Sequence, residues 1–398
     1  VVSGITGPYV NAEAALGVIP AGTPFLLHCK NSDFRLSVTG EDEYGISTLL
    51  GDDFLQGVYK QNTLNEGDFY LDADAGCFIR AKKDTVVNAF AAYLPQSKVN
   101  EPVDALPIIH KTLDTSRYYR LSVKGRYLSV DETGLTLSDD AEGSSTIFYY
   151  DENLSLLSYR NSRYIEDEGF TVAGNLPVMS LFEIAASGVD KYNLCVDGKY
   201  LGVDDNAVLC SYSDVNEPVN AENVEWSVEE VECLPVSITT VGYATIYAGV
   251  ALEVPDGITA HTVVVDGDYA ILSDPLNIIP AGCGVLLVAE EELDGTKVYD
   301  FIVTTTDETV EDNALRGTLA STFVETEEGE QYYVLSNPDG VLAFYKAELN
   351  DGKLYNNGHR AYLPHNTARN NAPSAIKFNW STGIDDVKDA ERGDGLIY

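Results

Sequence analysis

Residues 18–27 read VIPAGTPFLL, and residues 278–287 read IIPAGCGVLL. In each stretch a proline fixes φ at the start of a tight turn, and a glycine two residues later tolerates the unusual backbone angle that follows. The apolar run after the glycine is typical of a buried strand. Because a turn followed by a strand is common, these two stretches predict a duplicated module only if their flanking residues repeat in the same order.

The flanking residues do repeat. The shared landmarks, in chain order, are a Leu-Gly pair (Leu50 and Gly51; Leu315 with Gly317), an aromatic strand (from Phe69; from Tyr332), the tetrapeptide AYLP (92–95; 361–364) and a final apolar strand (from Ala105; from Ala375). Self-similarity on this scale fixes the architecture before any residue is assigned a role. We therefore expect residues 1–108 to superpose on 262–380, with Val18–Leu27 on Ile278–Leu287 and Tyr93 on Tyr362.

Composition limits the class of protein. A chain of 398 residues favours two or three domains, and 25 basic against 63 acidic residues give a net charge of −38. Such a charge repels phosphate backbones and anionic lipid, so we expect binding neither to nucleic acid nor to a membrane surface. No apolar run approaches the ~18 residues that span a bilayer, so we expect no membrane insertion. Short runs of Val, Ile, Leu, Thr and Tyr between Gly and Asn/Asp turns, with 25 Tyr and one Met, predict an all-β fold.

The middle of the chain has its own repeat. A turn followed by an aromatic residue recurs as GRYLSVD, SRYIEDE and GKYLGVD, which places Tyr127, Tyr164 and Tyr200 at intervals of 37 (164 − 127) and 36 (200 − 164). Each unit closes on an aromatic residue within an apolar strand. These closing residues are Phe148, Phe182 and Trp226. Three units of four short strands are therefore predicted.

Three such units resemble the β-trefoil of the ricin-B-lectin or fascin-like kind, over residues 111–232. The resemblance implies pseudo-threefold symmetry and a closed barrel. Its predicted core is Leu121, Leu128, Phe148, Ile165, Phe182, Leu194, Leu201 and Trp226. Ricin-type lectins carry Gln-x-Trp near the end of each repeat, whereas here only the third repeat has the Trp and no Gln precedes it.

The flanking modules, 1–108 and 233–382, resemble a β-sandwich-like module near the C-terminus of secreted surface proteins of gut Bacteroidetes. The landmarks that carry this resemblance are LPVSITTVGYATIYAGVALEVPDG from Leu234, then IIPAGCGVLL, YYVLSNPDG, FYKA and AYLP. The acidic segment 383–398 resembles the spacer before a type IX secretion sorting domain. Together these resemblances imply a protein that is secreted or displayed on the outer cell surface.

No catalytic or metal-binding set is predicted, and no cofactor is expected. The five His are scattered, and neither a His-Glu-x-x-His nor a Gly-x-Ser-x-Gly motif occurs. No Cys-x-x-Cys spacing exists; Cys195 and Cys210 lie on neighbouring strands and either pair or remain thiols. DADAG at 72–76 begins like a calcium loop but lacks glycine at its sixth position, and it aligns with SNPDG, so we expect a hairpin turn.

Function must therefore come from the architecture, which favours non-catalytic recognition of a carbohydrate or cell-surface ligand. The third repeat has the longest connection, SDVNEPVNAEN at 213–223, and loops on a rigid scaffold commonly carry binding. The predicted ligand-binding residues are Tyr212, Asp214, Asn216, Asn220 and Asn223, which offer a ring face, a carboxylate and amides to sugar hydroxyls. The alternative interpretation of this loop is a solvated insertion without a ligand. The alternatives for the whole chain are a structural or adhesive stalk, and the non-catalytic C-terminal part of a larger secreted hydrolase.

Overall fold

The protein is all-β, as its composition predicts. Within the described residues the computed structural model contains 36 strands and four short 3-10 helices, and none of these helices has the length and apolar character of a membrane span. The described residues are 2–6, 9–12, 54–73, 75–99, 102–110, 113–131, 134–165, 182–188, 190–196, 199–214, 216–218, 220–327, 329–366 and 372–379.

The chain divides into two compact units. Unit 1 is Val1–Asp114, Glu183–Leu194 and Val224–Ser227, and unit 2 is Thr115–Phe182, Cys195–Asn223 and Val228–Tyr398. The division of the chain into three modules at 108/111 and 232/233 stays a prediction, as does the acidic spacer, which lies outside the described residues.

Unit 1 contains a seven-stranded sheet of order β1-β2-β9-β6-β5-β8-β3, in which only β2 and β9 run parallel. β4 and β7 form a separate two-stranded ladder. The core of this sheet is Val10, Leu55, Phe69, Phe78, Leu94 and Leu106, all buried. The elements are β1 (Val2–Thr6), β2 (Tyr9–Ala12), β3 (Gln56–Gly57), β4 (Asn62–Thr63), β5 (Phe69–Asp72), β6 (Cys77–Arg80), β7 (Val86–Val87), β8 (Ala92–Leu94), η1 (Gln96–Lys98) and β9 (Ala105–His110).

Residues 115–232 contribute eleven strands. Antiparallel ladders join β10 to β11 and β13, β13 to β14, and β14 to β15, and a further hairpin joins β18 to β19. The elements are β10 (Arg117–Val123), β11 (Arg126–Val130), β12 (Leu135–Ser138), η2 (Ser144–Thr146), β13 (Phe148–Tyr150), β14 (Leu156–Ser158), β15 (Arg163–Tyr164), β16 (Phe182–Gly188), β17 (Lys191–Val196), β18 (Lys199–Val203), β19 (Leu209–Tyr212), η3 (Ala221–Asn223) and β20 (Ser227–Glu230).

Burial is confirmed for seven of the eight residues predicted to form the core of this segment. Leu121, Leu128, Phe148, Ile165, Leu194, Leu201 and Trp226 are all buried, and the side chain of Phe182 lies outside the described residues. Tyr127, Tyr164 and Tyr200 lie in β11, β15 and β18, each in the strand that follows the repeated turn. Because 166–181 lies outside the described residues, the β-trefoil symmetry stays a prediction.

Residues 233–379 contribute sixteen strands in unit 2. The elements are β21 (Cys233–Ile238), β22 (Tyr243–Ile246), β23 (Ala251–Glu253), β24 (Ile258–His261), β25 (Val263–Asp266), β26 (Tyr269–Leu272), β27 (Ile278–Ile279), β28 (Val285–Ala289), β29 (Lys297–Thr304), β30 (Arg316–Thr318), β31 (Thr322–Glu325), β32 (Glu330–Ser336), η4 (Pro338–Gly340), β33 (Ala343–Lys346), β34 (Lys353–Asn356), β35 (Arg360–Asn366) and β36 (Ala375–Phe378). Their sheets have the orders β21-β29-β23-β27, β22-β28-β24 and β25-β26-β36-β33-β32-β35-β30, and β31 pairs with β34.

β28 is buried on both faces, which explains why its sequence is a continuous apolar run. Val285 and Leu287 belong to a core cluster with residues of β21 and β29, whereas Leu286 and Val288 belong to a cluster with residues of the seven-stranded sheet. The sheet β22-β28-β24 is therefore the middle of three layers, and the predicted sandwich-like character of this module is confirmed.

The duplication is confirmed in strand order and register. The sheets β1-β2-β9-β6-β5-β8-β3 and β25-β26-β36-β33-β32-β35-β30 have corresponding strands at every position, and in both only the second and third strands of the order are parallel. Tyr93 pairs with Gln56 in one copy as Tyr362 pairs with Arg316 in the other, so these two tyrosines are equivalent as predicted. The predicted overlay of 18–27 on 278–287 lies outside the described residues.

One sequence-based assignment changes, and one open alternative is resolved. Gly57 opposes Ala92 as Gly317 opposes Ala361, so the counterpart of Leu315 with Gly317 is Leu55 with Gly57, and the pairing with Leu50 and Gly51 was wrong. A spacing of one residue inside the pair, Leu-x-Gly, identifies the true landmark. Of the two alternatives for the cysteines, the bridge between Cys195 and Cys210 is not formed, and Cys210 is a free thiol.

The hairpin-turn interpretation of DADAG is confirmed. This stretch connects β5 to β6, and the backbone N–H of Ala75 donates to Asp72 Oδ1 at 3.0 Å. An aspartate that caps its own turn in this way is a common hairpin device.

Candidate functional site

The predicted binding loop begins with a set of hydrogen bonds among its own residues. The backbone N–H and the hydroxyl of Ser213 donate to Glu217 Oε2 at 2.6 and 2.7 Å. The backbone N–H and the amide of Asn216 donate to Asp214 Oδ1 at 2.7 and 3.0 Å. The hydrogen bonds from Ser213 lower the pKa of the Glu217 carboxyl. The loop therefore holds exposed carboxylates and an amide in one arrangement without a ligand.

The five predicted residues divide into two groups. Asp214, Asn216 and Asn220 are exposed, whereas Asn223 is buried in η3. Tyr212 is half-buried, and its hydroxyl donates to the carbonyl oxygen of Val203 at 2.7 Å. Burial raises the pKa of Tyr212; the neighbouring Cys210 thiol also raises it, and the Asn223 amide opposes the rise. The Tyr212 hydroxyl is hydrogen-bonded within the protein, and the Asn223 side chain is buried. The predicted residues that remain exposed to a ligand are Asp214, Asn216 and Asn220.

Sequence reasoning missed Glu217 in this loop. Its carboxylate fixes Ser213 and is itself exposed, so it belongs to the same polar surface. The available signal was the serine four residues before the glutamate, since short polar side chains in loops commonly bond to nearby groups along the chain.

A second set of functional groups lies inside unit 2, around His359. We name residues 318–321 and 357–360 the second tip, because they connect β30 to β31 and β34 to β35 at one end of the module. His359 adopts φ +56°, and its backbone N–H donates to the Thr318 carbonyl at 2.7 Å. Its imidazole is buried, with Nε2 3.0 Å from the Tyr118 hydroxyl and Nδ1 3.1 Å from Ser162 Oγ.

The second tip closes around the turn that joins β14 to β15. The Tyr159 ring contacts the His359 ring edge-on at 4.7 Å between centroids, and the backbone N–H of Ser321 donates to the Ser162 carbonyl at 2.6 Å. Gly358 makes this approach possible, because a Cβ there would lie 2.3 Å from Ser162 Cβ on the turn. It is also required within the tip, where a Cβ would lie 2.4 Å from the carbonyl oxygen of Leu319. The turn and the tip are thus packed to contact along their backbones.

The electrostatics of this centre favour uncharged side chains. Burial, with a smaller contribution from the neighbouring Arg360 guanidinium, lowers the pKa of His359 to about 3. Burial likewise raises the pKa of Tyr118 and of Tyr159. A serine hydroxyl beside a histidine is the pairing used in nucleophilic catalysis. Here both side chains are buried, and the second ring nitrogen is bonded to Tyr118.

The corresponding positions of the first module are exposed. We name residues 58–61 and 88–91 the first tip, and the strand registers place Phe90 at the position of His359 and Tyr59 at that of Leu319. Phe90 also adopts a left-handed conformation, φ +63°, and its N–H donates to the Val58 carbonyl at 2.6 Å. Yet the Phe90 side chain is 85% exposed and that of Tyr59 is 71% exposed.

This combination is costly for a surface without a partner. A bulky residue at positive φ costs on the order of 1 kcal/mol, and an exposed aromatic pair adds unburied apolar surface. The sequence contained a signal for this tip, because counting back from the AYLP tetrapeptides pairs Phe90 with His359. Whether the side chain at this position is buried, however, depends on the residues that pack against each tip, and the local sequence does not predict these residues.

Among the residues that the structure describes, no group of three or more His, Cys, Asp or Glu side chains is arranged to hold a metal ion. Comparison with protein-family profiles finds no match, and no curated protein shows significant sequence similarity to the chain.

Proposed function

We propose that the chain is a non-catalytic extracellular binding protein that recognises carbohydrate through the loop 213–223. The observation that carries this proposal is the pair of hydrogen-bonded turns that fix Asp214, Asn216 and Glu217 at the surface. A loop that is already ordered loses less conformational entropy when it binds. Carboxylate and amide groups are suitable partners for the hydroxyls of a sugar, because together they accept and donate hydrogen bonds.

Such a site would bind weakly. It offers few polar groups and, with Tyr212 half-buried, a limited apolar face, so we expect a dissociation constant of about 0.1–1 mM for one site. Weak sites of this kind become useful when many copies are presented on one surface.

The test is a glycan array probed with the full 398-residue chain. We expect Asp214→Ala and Asn216→Ala each to weaken the glycan signal about tenfold, since each removes a hydrogen-bonding group worth roughly 1.4 kcal/mol. Asp204→Ala is the matched control, because Asp204 caps a neighbouring exposed turn through Asn206 and Val208 in the same way. A wild-type chain that binds no glycan, or glycan binding that both loop variants leave unchanged, would contradict the proposal.

A specific observation also favours a second function, a structural spacer. Residues of the middle segment and of the second module share one buried cluster, to which Tyr118, Ile147 and Tyr149 contribute alongside Leu234 and Phe301. A continuous core makes the join between two parts of a chain stiff. Such a stiff join would suit a stalk that holds a binding site away from a cell surface.

A further inference from the structure

The two tips have the same backbone arrangement but differ in whether their central side chain is buried. They share strand register, loop length, the left-handed residue and the backbone hydrogen bond that closes the loop. In the second copy that residue, His359, is buried against the β14–β15 turn; in the first copy its equivalent, Phe90, faces solvent. Phe90 and Tyr59 therefore give the first tip an exposed aromatic surface of the kind that docks on a partner.

The turn that the second tip receives also has a counterpart. Ser162, the last residue of the β14–β15 turn, is followed by Arg163-Tyr164 of β15, just as Gly125, the last residue of the β10–β11 turn, is followed by Arg126-Tyr127 of β11. Ser162 and Gly125 are both left-handed, with φ +50° and +76°. The β10–β11 turn, Lys124 and Gly125, is exposed, and a Cβ built on Gly125 would meet no atom within 4 Å. This turn therefore has the form of a docking partner that is still uncovered.

The sizes of the open surfaces are complementary. In the occupied pair, Gly358 on the tip faces Ser162 on the turn, and a Cβ on both would leave only 2.3 Å between them. In the exposed tip and the exposed turn the glycine is on the turn instead of the tip, because the first tip has Ala89 and the β10–β11 turn has Gly125. Ala89 is thus too large for a turn with serine at this position but fits one with glycine.

The side chains of the first tip and of the β10–β11 turn are also chemically suited to each other. His359 needs the hydroxyls of Tyr118 and Ser162, whereas Phe90 offers only a ring. On the β10–β11 turn the exposed group is the Lys124 ammonium. A lysine ammonium binds to the face of a phenyl or phenol ring, so Phe90 and Tyr59 suit this turn.

We propose that the first tip binds the β10–β11 turn of a second copy of this chain. The contact joins two different surfaces, so each added copy leaves one tip and one turn open, and the product is a linear or ring-shaped assembly. The net charge of −38 opposes this association, which should therefore strengthen as ionic strength rises. The inference does not depend on carbohydrate binding.

The test is sedimentation velocity of the full chain over a series of concentrations, at physiological and at high salt. We expect wild-type chains to form multimers, and Phe90→Ser and Gly125→Ser each to weaken association at least tenfold. The double variant Ala89→Gly with Gly125→Ser should restore association, because it recreates the size pairing of Gly358 with Ser162. A mixture of the Phe90→Ser and Gly125→Ser chains should form a heterodimer and grow no further, since only one intact tip and one intact turn remain.

The control is Tyr269→Ser, which removes another exposed aromatic side chain, 51% exposed, and should leave association unchanged. Thermal melting checks that Gly125→Ser folds; if it does not, Lys124→Glu replaces it as the turn variant. Chains that stay monomeric at every concentration would overturn the proposal. So would equal effects of Phe90→Ser and Tyr269→Ser, or a mixture that forms no heterodimer.

Discussion

His359 stays neutral because its imidazole is buried and has a hydroxyl partner at each ring nitrogen. Its pKa of about 3 lies below the usual value of about 6.5. Arg360 beside it adds a like charge, and Arg360 is itself fixed by a hydrogen bond from Nη1 to the Thr245 carbonyl at 2.9 Å. Protonation of this imidazole would leave a buried cation next to another, so the second tip is sensitive to acid.

We expect His359 to contribute a pH-dependent part of the stability. Above about pH 6.5 the imidazole is neutral in both states and folding is not opposed; as pH falls toward 3, only the unfolded chain takes up the proton. The free energy of unfolding should therefore decrease by about 1.4 kcal/mol for each pH unit in this window. Urea unfolding at a series of pH values, compared between wild type and His359→Gln, isolates this slope.

The matched control is His365→Gln, because His365 lies only half-buried in the same strand, β35. This control should keep the wild-type slope. Equal slopes for wild type and His359→Gln would show that the buried imidazole does not titrate between the two states.

Gly317 and its equivalent in the first module, Gly57, differ in how closely other residues pack against them. A Cβ on Gly317 would lie 2.4 Å from Tyr247 Cγ, so Gly317→Ala should lower the free energy of unfolding by about 1–3 kcal/mol. The equivalent Gly57 is exposed, and Gly57→Ala should change stability by less than about 0.5 kcal/mol. Chemical denaturation measures both, and similar costs at the two glycines would be the contrary result.

At the scale of elements, β28 explains why the second module has three layers. A strand with only one buried face alternates apolar and polar residues, whereas β28 reads VLLVA with four buried side chains in succession. Its neighbours β22 and β24 share this position between two cores. The middle sheet is thus the element that joins the two clusters of the module.

Shortening a side chain on either face of β28 should therefore lower the free energy of unfolding. We expect Leu286→Ala and Leu287→Ala each to lower the free energy of unfolding by about 2–5 kcal/mol, because both leucines are fully buried. Val298→Ala on β29 is the control, since Val298 is exposed. A negligible cost at either leucine in urea denaturation would contradict the two-faced packing.

Elements were also the level at which the sequence was most informative. Apolar runs and turn residues predicted the strands, and the paired AYLP tetrapeptides predicted equivalent registers that include Tyr93 and Tyr362. The burial of Leu121, Leu128 and Trp226 followed from the same periodicity. Local patterns did not predict that Asn223 is buried and Tyr212 bonded inward, because those outcomes depend on neighbours brought close by the turn and by η3.

At the scale of the whole molecule, the notable feature is a core that crosses a predicted module boundary. Tyr118, Ile147, Tyr149 and Leu157 pack in one cluster with residues from Val231 to Phe301. Gly249 shows how close the approach is, because a Cβ there would lie 2.5 Å from the Tyr149 hydroxyl oxygen. Modules that are distinct in sequence are therefore not independent in packing.

We expect the second module alone to be less stable than the module joined to the middle segment. A fragment of residues 233–382 would expose the apolar side chains that pack on Tyr118 and Tyr149, whereas a fragment of residues 111–382 keeps them covered. Differential scanning calorimetry should show a lower midpoint for the shorter fragment and a single main transition for the longer one. Equal midpoints would mean that the shared cluster adds little.

The hydrogen bonds of His359 have a consequence for evolution. This residue is bonded to Tyr118 and Ser162, which lie 241 and 197 positions earlier in the chain. A substitution at any one of the three leaves a polar group buried without a partner, a defect that a change at the other two can repair. In related sequences these three positions should therefore vary together, while position 90, which has the same left-handed backbone but an exposed side chain, should drift independently of positions 118 and 162.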